Sequence, residues 1–69
     1  MDEERDLWRI GNVVCVMISC CDGAELQVRE RRQGGDDFGI VLRELYPMKS
    51  DLYDRARTLE AEYRAGQFR

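Results

Sequence analysis

Residues 13–21 read VVCVMISCC, nine positions without a charge, directly ahead of Asp22 and Gly23. Successive side chains of a β-strand point to opposite faces. This run therefore presents apolar groups to both sides at once, as strands covered on both faces do. It is far short of the roughly 20 apolar residues a membrane-crossing helix needs. A fold built on it has to hide two faces with very little chain.

The chain has 69 residues, and the reading is of one small domain over 1–69. Chains of this length bury only about 60% of their unfolded surface, and one core often yields about 3–5 kcal/mol. Disulfides, a metal or a partner chain usually supplement it. Three cysteines, Cys15, Cys20 and Cys21, are spaced C-x4-C-C, and histidine is absent. A structural zinc site needs four convergent ligands, so the cysteines alone cannot close one. No C-x-x-C pair is present for redox work. The expectation is core packing of free thiols, no metal and no cofactor, with a vicinal Cys20–Cys21 switch as the weaker alternative. An odd number of cysteines fits a reducing compartment.

Net charge is −3, which argues against affinity built from many phosphate contacts. Ten arginines stand against one lysine, a bias that suits forked contacts with carboxylates but that a GC-rich genome also produces. Asp2, Glu3 and Glu4 lie where a secretory leader would be basic. The expectation is a cytoplasmic protein with no membrane association.

Gly11-Asn12, Asp22-Gly23, Gly34-Gly35-Asp36-Asp37 and Pro47 punctuate the chain. Asp22-Gly23 is a two-residue hairpin signal. Closed there, the hairpin sets Cys21 against Ala24, Ser19 against Leu26, Met17 against Val28 and Val16 against Arg29. Gly11-Asn12 turns a preceding strand back, with Trp8 beside Cys15 and Ile10 beside Val13; a helical turn or loose arm over 2–10 is the alternative. Phe38, Ile40 and Leu42 alternate with Gly39, Val41 and Arg43 as in a half-buried strand. A bulged turn before them puts Phe38, Ile40 and Leu42 on the core face, and an even-numbered turn puts them opposite. The bulged turn is preferred because it gathers the apolar residues.

After Pro47, Ser50 suits an N-cap, and Leu52, Ala56, Leu59 and Tyr63 form one apolar stripe. Asp51 with Arg55 and Glu60 with Arg64 are helical pairs four apart, and Gly66 suits the residue just past the helix end. The fold class that follows is α+β, an antiparallel β-meander of three or four strands with one C-terminal α-helix packed on one sheet face. Strands are expected at about 7–10, 13–21, 24–33 and 38–46, and the helix at about 51–65.

One helix covers one face. Val14, Val16, Ile18 and Val41 are then expected on the uncovered side, rimmed by Arg29, Arg31 and Arg43, as an interface has an apolar centre and a polar rim. Arginine stems lying over the valines would hide them without a partner. The first partner to expect is a second copy, since two-fold dimers are the commonest assembly. The edge from Phe38 to Tyr46 offers another route to sheet extension.

Function follows by class. A non-catalytic interaction module is expected, a homodimeric adaptor, regulator or inhibitor that binds a larger protein. The alternative is a nucleic-acid-binding regulator using Arg29, Arg31 and Arg43, but stacking platforms need exposed aromatics and Trp8, Phe38 and Tyr63 are assigned to the core. An enzyme is not expected, because no nucleophile–base or paired-carboxylate arrangement is visible.

Overall fold

The computed structural model describes residues 3–32, 34–35 and 37–66. Among them, β1 (Glu3–Ile10), β2 (Val13–Cys20), β3 (Gly23–Arg31) and β4 (Phe38–Tyr46) form one antiparallel sheet in chain order. Helix α1 (Lys49–Arg64) follows and lies on one face. This is the α+β meander expected from the spacing. The expected strand end at Gln33 and the turn position Asp36 lie outside the described residues, as does residue 2 of the N-terminal segment.

β1 starts at Glu3 rather than Leu7, pairing Glu3 with Ser19 and Glu4 with Ile18. β2 would otherwise have an open side, and pairing its backbone outweighs the poor strand propensity of acidic residues. Trp8 sits against Cys15 and Ile10 against Val13, as expected, but a bulge inserts Leu7 between Asp6 and Trp8. The bulge lets both Leu7 and Trp8 pack toward the helix-covered core.

The β2–β3 hairpin turns one residue earlier than expected, with a loop of the same two-residue length. Cys20 pairs with Gly23, Ser19 with Ala24, Met17 with Leu26 and Val14 with Arg29, a register two residues away from the one anticipated. A shift of two preserves which side chains share a face. Cys21 and Asp22 are the turn residues, and neither has a positive φ. Gly23, at φ 139°, is needed instead for close approach. A Cβ there would strike the Tyr46 carbonyl oxygen and come within 2.9 Å of Pro47 Cα.

β4 corrects the third register. Arg31 opposes Phe38 and Arg29 opposes Ile40, yet Val28 opposes Leu42, so Val41 is an extra residue. The bulge lies inside β4 and not in the turn before it. Leu42 and Tyr46 join the core side, whereas Phe38 and Ile40 fall on the open side with Arg29 and Arg31. Phe38 is therefore not a core residue.

The core is one layer of contact between sheet and helix. Cys15, Met17, Leu26 and Val28 meet Leu52, Ala56 and Leu59, with Tyr63 at the border. Burying each leucine contributes about 1.5–3 kcal/mol. The helix begins two residues early, with Met48 at its N-cap and no side-chain cap bond, so Ser50 lies within the first turn. Arg55 bonds Glu44 of β4 at 3.2 Å rather than serving Asp51, while Arg64 and Glu60 pair at 2.9 Å as expected. Gly66, at φ 77°, donates its N–H to the Tyr63 carbonyl and ends the helix. At the far side of the sheet, Trp8 Nε1 donates to the Ala56 carbonyl at 2.9 Å, and its ring lies 5.7 Å from Tyr63. The described Cα atoms span 36 × 25 × 14 Å, so the molecule is two layers thick and one sheet face stays open.

Candidate functional site

Opposed residues of antiparallel strands share a face, which builds the open face row by row. One row runs Glu4, Ile18, Glu25, Leu45; the next runs Asp6, Val16, Gln27, Arg43; a third runs Arg9, Val14, Arg29, Ile40. Apolar β2 thus lies between polar neighbours on β1 and β3.

Those neighbours close over it. Arg29 reaches diagonally across β2 to Glu4, Nη2 to Oε1 at 3.0 Å, and bonds Gln27 Oε1 through Nε at 2.9 Å. Gln27 Nε2 donates to Glu25, and Arg43 Nε donates to the same carboxylate at 2.9 Å. Beneath this lattice Val16 is only 1% exposed, and Val14 is likewise buried. The expectation that Val14 and Val16 stand uncovered is corrected: the arginine stem and its polar partners roof them within the subunit. Ile18 is half-buried.

Electrostatics follow the same lattice. Hydrogen bonds from Gln27 and then Arg43 hold the Glu25 carboxyl below its ordinary range. On the helix side, the Tyr46 hydroxyl donates to Glu44 at 2.6 Å and does the same for that carboxyl, helped by Arg55. Arg31 Nε donates to the Gly35 carbonyl at 3.0 Å. Arg29, Arg31 and Arg43 are thus each engaged inside the chain. Arg29 and Arg43 belong to the roof over β2, whereas Arg31 turns to the loop that follows β3.

The uncovered apolar surface lies one strand further on. Phe38, Ile40, Val41 and Leu45 of β4, with Met48 just beyond, are 40–73% exposed. Of the seven residues singled out from sequence, Val41 alone belongs to this group. Leu45 was legible, since it lies three residues from the core residue Leu42 and so takes the other face. Phe38 and Ile40 were not, because nothing in Phe-Gly-Ile-Val-Leu announces a bulge at Val41. Alongside the strand end, a cleft of about 370 Å³ is lined by Cys20, Asp22, Ala24, Leu45, Tyr46 and Pro47.

The cysteines divide. Cys15 is buried and its thiol is pushed up to about 12, by burial first and the Glu60 charge second. Cys20 and Cys21 are exposed free thiols at the hairpin tip, so core packing describes only Cys15. The physical reason is the earlier turn, which makes Cys21 a turn residue and Cys20 the last of its strand. Among the described residues, no group of three or more His, Cys, Asp or Glu side chains is placed to hold a metal ion. None of the described helices is long and apolar enough to cross a membrane.

No protein-family model, curated protein or solved structure matches this chain.

Proposed function

We propose that this chain is a non-catalytic protein-interaction module, an adaptor, regulator or inhibitor that docks on a larger protein through the apolar side chains of β4. The observation that supports the reading is the exposure of Phe38, Ile40, Val41 and Leu45 on one strand, with Met48 continuing it. A domain this small has little apolar burial to spare, and a contiguous exposed patch marks a site of contact. Arginine accompanies these groups, as it does in interfaces: Arg31 lies opposite Phe38 at one end, and Arg43 stands between Ile40 and Leu45. Protein is preferred to nucleic acid as the partner because Arg29 and Arg43 are already bonded to carboxylates, which opposes phosphate binding. The free thiols fit a cytoplasmic site of action.

The test compares the tagged wild-type chain with an Ile40→Glu/Leu45→Glu variant in extracts of the source cell. Both positions are exposed, so the variant should keep its thermal unfolding midpoint while losing the proteins that the wild type retains. Identical retention by both chains would remove β4 as the docking surface.

A further inference from the structure

Two of the three thiols are open to reaction. Cys15 is buried, whereas Cys20 and Cys21 stand in solvent at the β2–β3 turn. Beside them lies a cleft of about 310 Å³, at the lower end of the range that small ligands occupy. Its walls follow from strand pairing. Glu3 opposes Ser19, and Arg5 opposes the core residue Met17, so Glu3 and Arg5 stand on the helix face of the sheet. Lys49, at the start of α1, borders the same space.

We infer that Cys21 is a site of reversible mixed-disulfide formation with glutathione, whose charged groups are held by Arg5, Lys49 and Glu3.

Charge selects the ligand. Arg29, Arg43, Arg55, Arg57 and Arg64 each have a carboxylate partner within the chain. Arg5, Lys49 and Glu3 form no ion pair among the described residues, although all three border one cleft. The cleft therefore offers two cations and one carboxylate beside a thiol. Each half of oxidised glutathione carries the reverse set, two carboxylates and one ammonium, on a short flexible chain that ends in the reacting sulfur. Both charged ends of the ligand find a partner without displacing a bond the protein already makes.

Position selects the cysteine. The Cys20 thiol donates to the Gly23 carbonyl at 3.5 Å, and Cys20 also borders the cleft beside Leu45, whose lining holds Asp22 and no cation. Cys21 borders the cleft that holds Arg5 and Lys49, and its thiol is bonded to none of the described residues.

The exchange balances within itself. The Cys21 thiolate attacks one sulfur of oxidised glutathione; a bond forms between the two sulfurs and the original disulfide breaks. The departing glutathione leaves as a thiolate with the electron pair and takes up the proton that Cys21 gave. Cys21 is oxidised and one half of the disulfide is reduced. Attack by a second glutathione thiolate on the glutathionyl sulfur runs the step backwards and restores the free thiol.

The test treats the purified full chain with oxidised glutathione or with the neutral 2-hydroxyethyl disulfide, and maps the adducts by mass spectrometry of peptides. Glutathione should add to Cys21 and leave Cys15 untouched in the folded chain. Cys21→Ser should abolish the adduct, and Cys20→Ser should retain it. Arg5→Gln/Lys49→Gln, at two exposed positions, should slow the glutathione reaction roughly 3- to 20-fold and leave the rate with the neutral disulfide unchanged. Added salt should slow the wild-type reaction with glutathione alone, a measurement that needs no variant. Rates with the two disulfides that respond equally to salt and to the double substitution overturn the inference. So does a glutathione adduct on Cys20 in preference to Cys21, or an internal Cys20–Cys21 disulfide formed in place of the adduct.

Discussion

β1 and β4 are both edge strands with one bulge each, yet they end in opposite conditions. In β1 the bulge at Leu7 sends Leu7 and Trp8 toward the helix, and the residues left outside are charged. In β4 the bulge at Val41 sends Phe38 and Ile40 away from the helix, and all but Arg43 of the residues left on the open face are apolar. The same backbone device closes one edge and opens the other. The difference arises because α1 crosses from Glu44 of β4 to Trp8 of β1, and its last turns are spent on the β1 side. An edge with an anchored aromatic and exposed charge is finished. One with an exposed aromatic and anchored charge leaves apolar groups in water.

The largest expected effect separates the two aromatics. Trp8→Ala removes the bond to the Ala56 carbonyl and the packing on Tyr63, and should destabilise the fold by about 2–4 kcal/mol in urea unfolding. Phe38→Ala should cost under about 1 kcal/mol, because little is buried there. Equal losses would erase the contrast between the edges.

A middle-sized effect concerns how the charged edge is tied to the open face. Arg29→Ala should cost about 1 kcal/mol by unroofing Val16, and Arg29→Met should restore most of it. If methionine is no better than alanine, the ion pair with Glu4 and not the stem carries the cover.

The smallest is the pH response at β4. A carboxylate held below its unfolded value contributes stability that is complete above that value and is lost as pH falls through the folded one. For Glu44 that loss begins near the ordinary value of 4.5 and continues below it. With a third of the side chain exposed, the effect should stay under about 1 kcal/mol. Glu44→Gln should flatten this part of the acid-unfolding curve, and an unchanged slope would show that its bonds to Tyr46 and Arg55 add nothing.

The fold was readable wherever a local rule acts alone. Leu52, Ala56 and Leu59 announced the helix face by spacing, and all three are buried. Trp8 against Cys15 followed from the turn at Gly11-Asn12 and strict alternation. Ser50 looked like a cap, but the helix starts earlier at Lys49. Asp22-Gly23 looked like a mirror-image turn, but the glycine is used where the backbone meets Tyr46 and Pro47. The candidate surface was half legible: an apolar face left over from a single helix was right in kind, while its address moved from Val14 and Val16 to β4.

Alternation and helical spacing act between residues a few positions apart, so the chain alone determined its strands, its helix and the fact that one sheet face has no helix to cover it. Which apolar groups remain in water on that face was decided by contacts between distant residues. Arg29 finds Glu4 twenty-five positions away, and one inserted residue in β4 takes its register from β3. Neither a diagonal salt bridge nor a bulge leaves a mark in local sequence, because each depends on what the neighbouring strand presents.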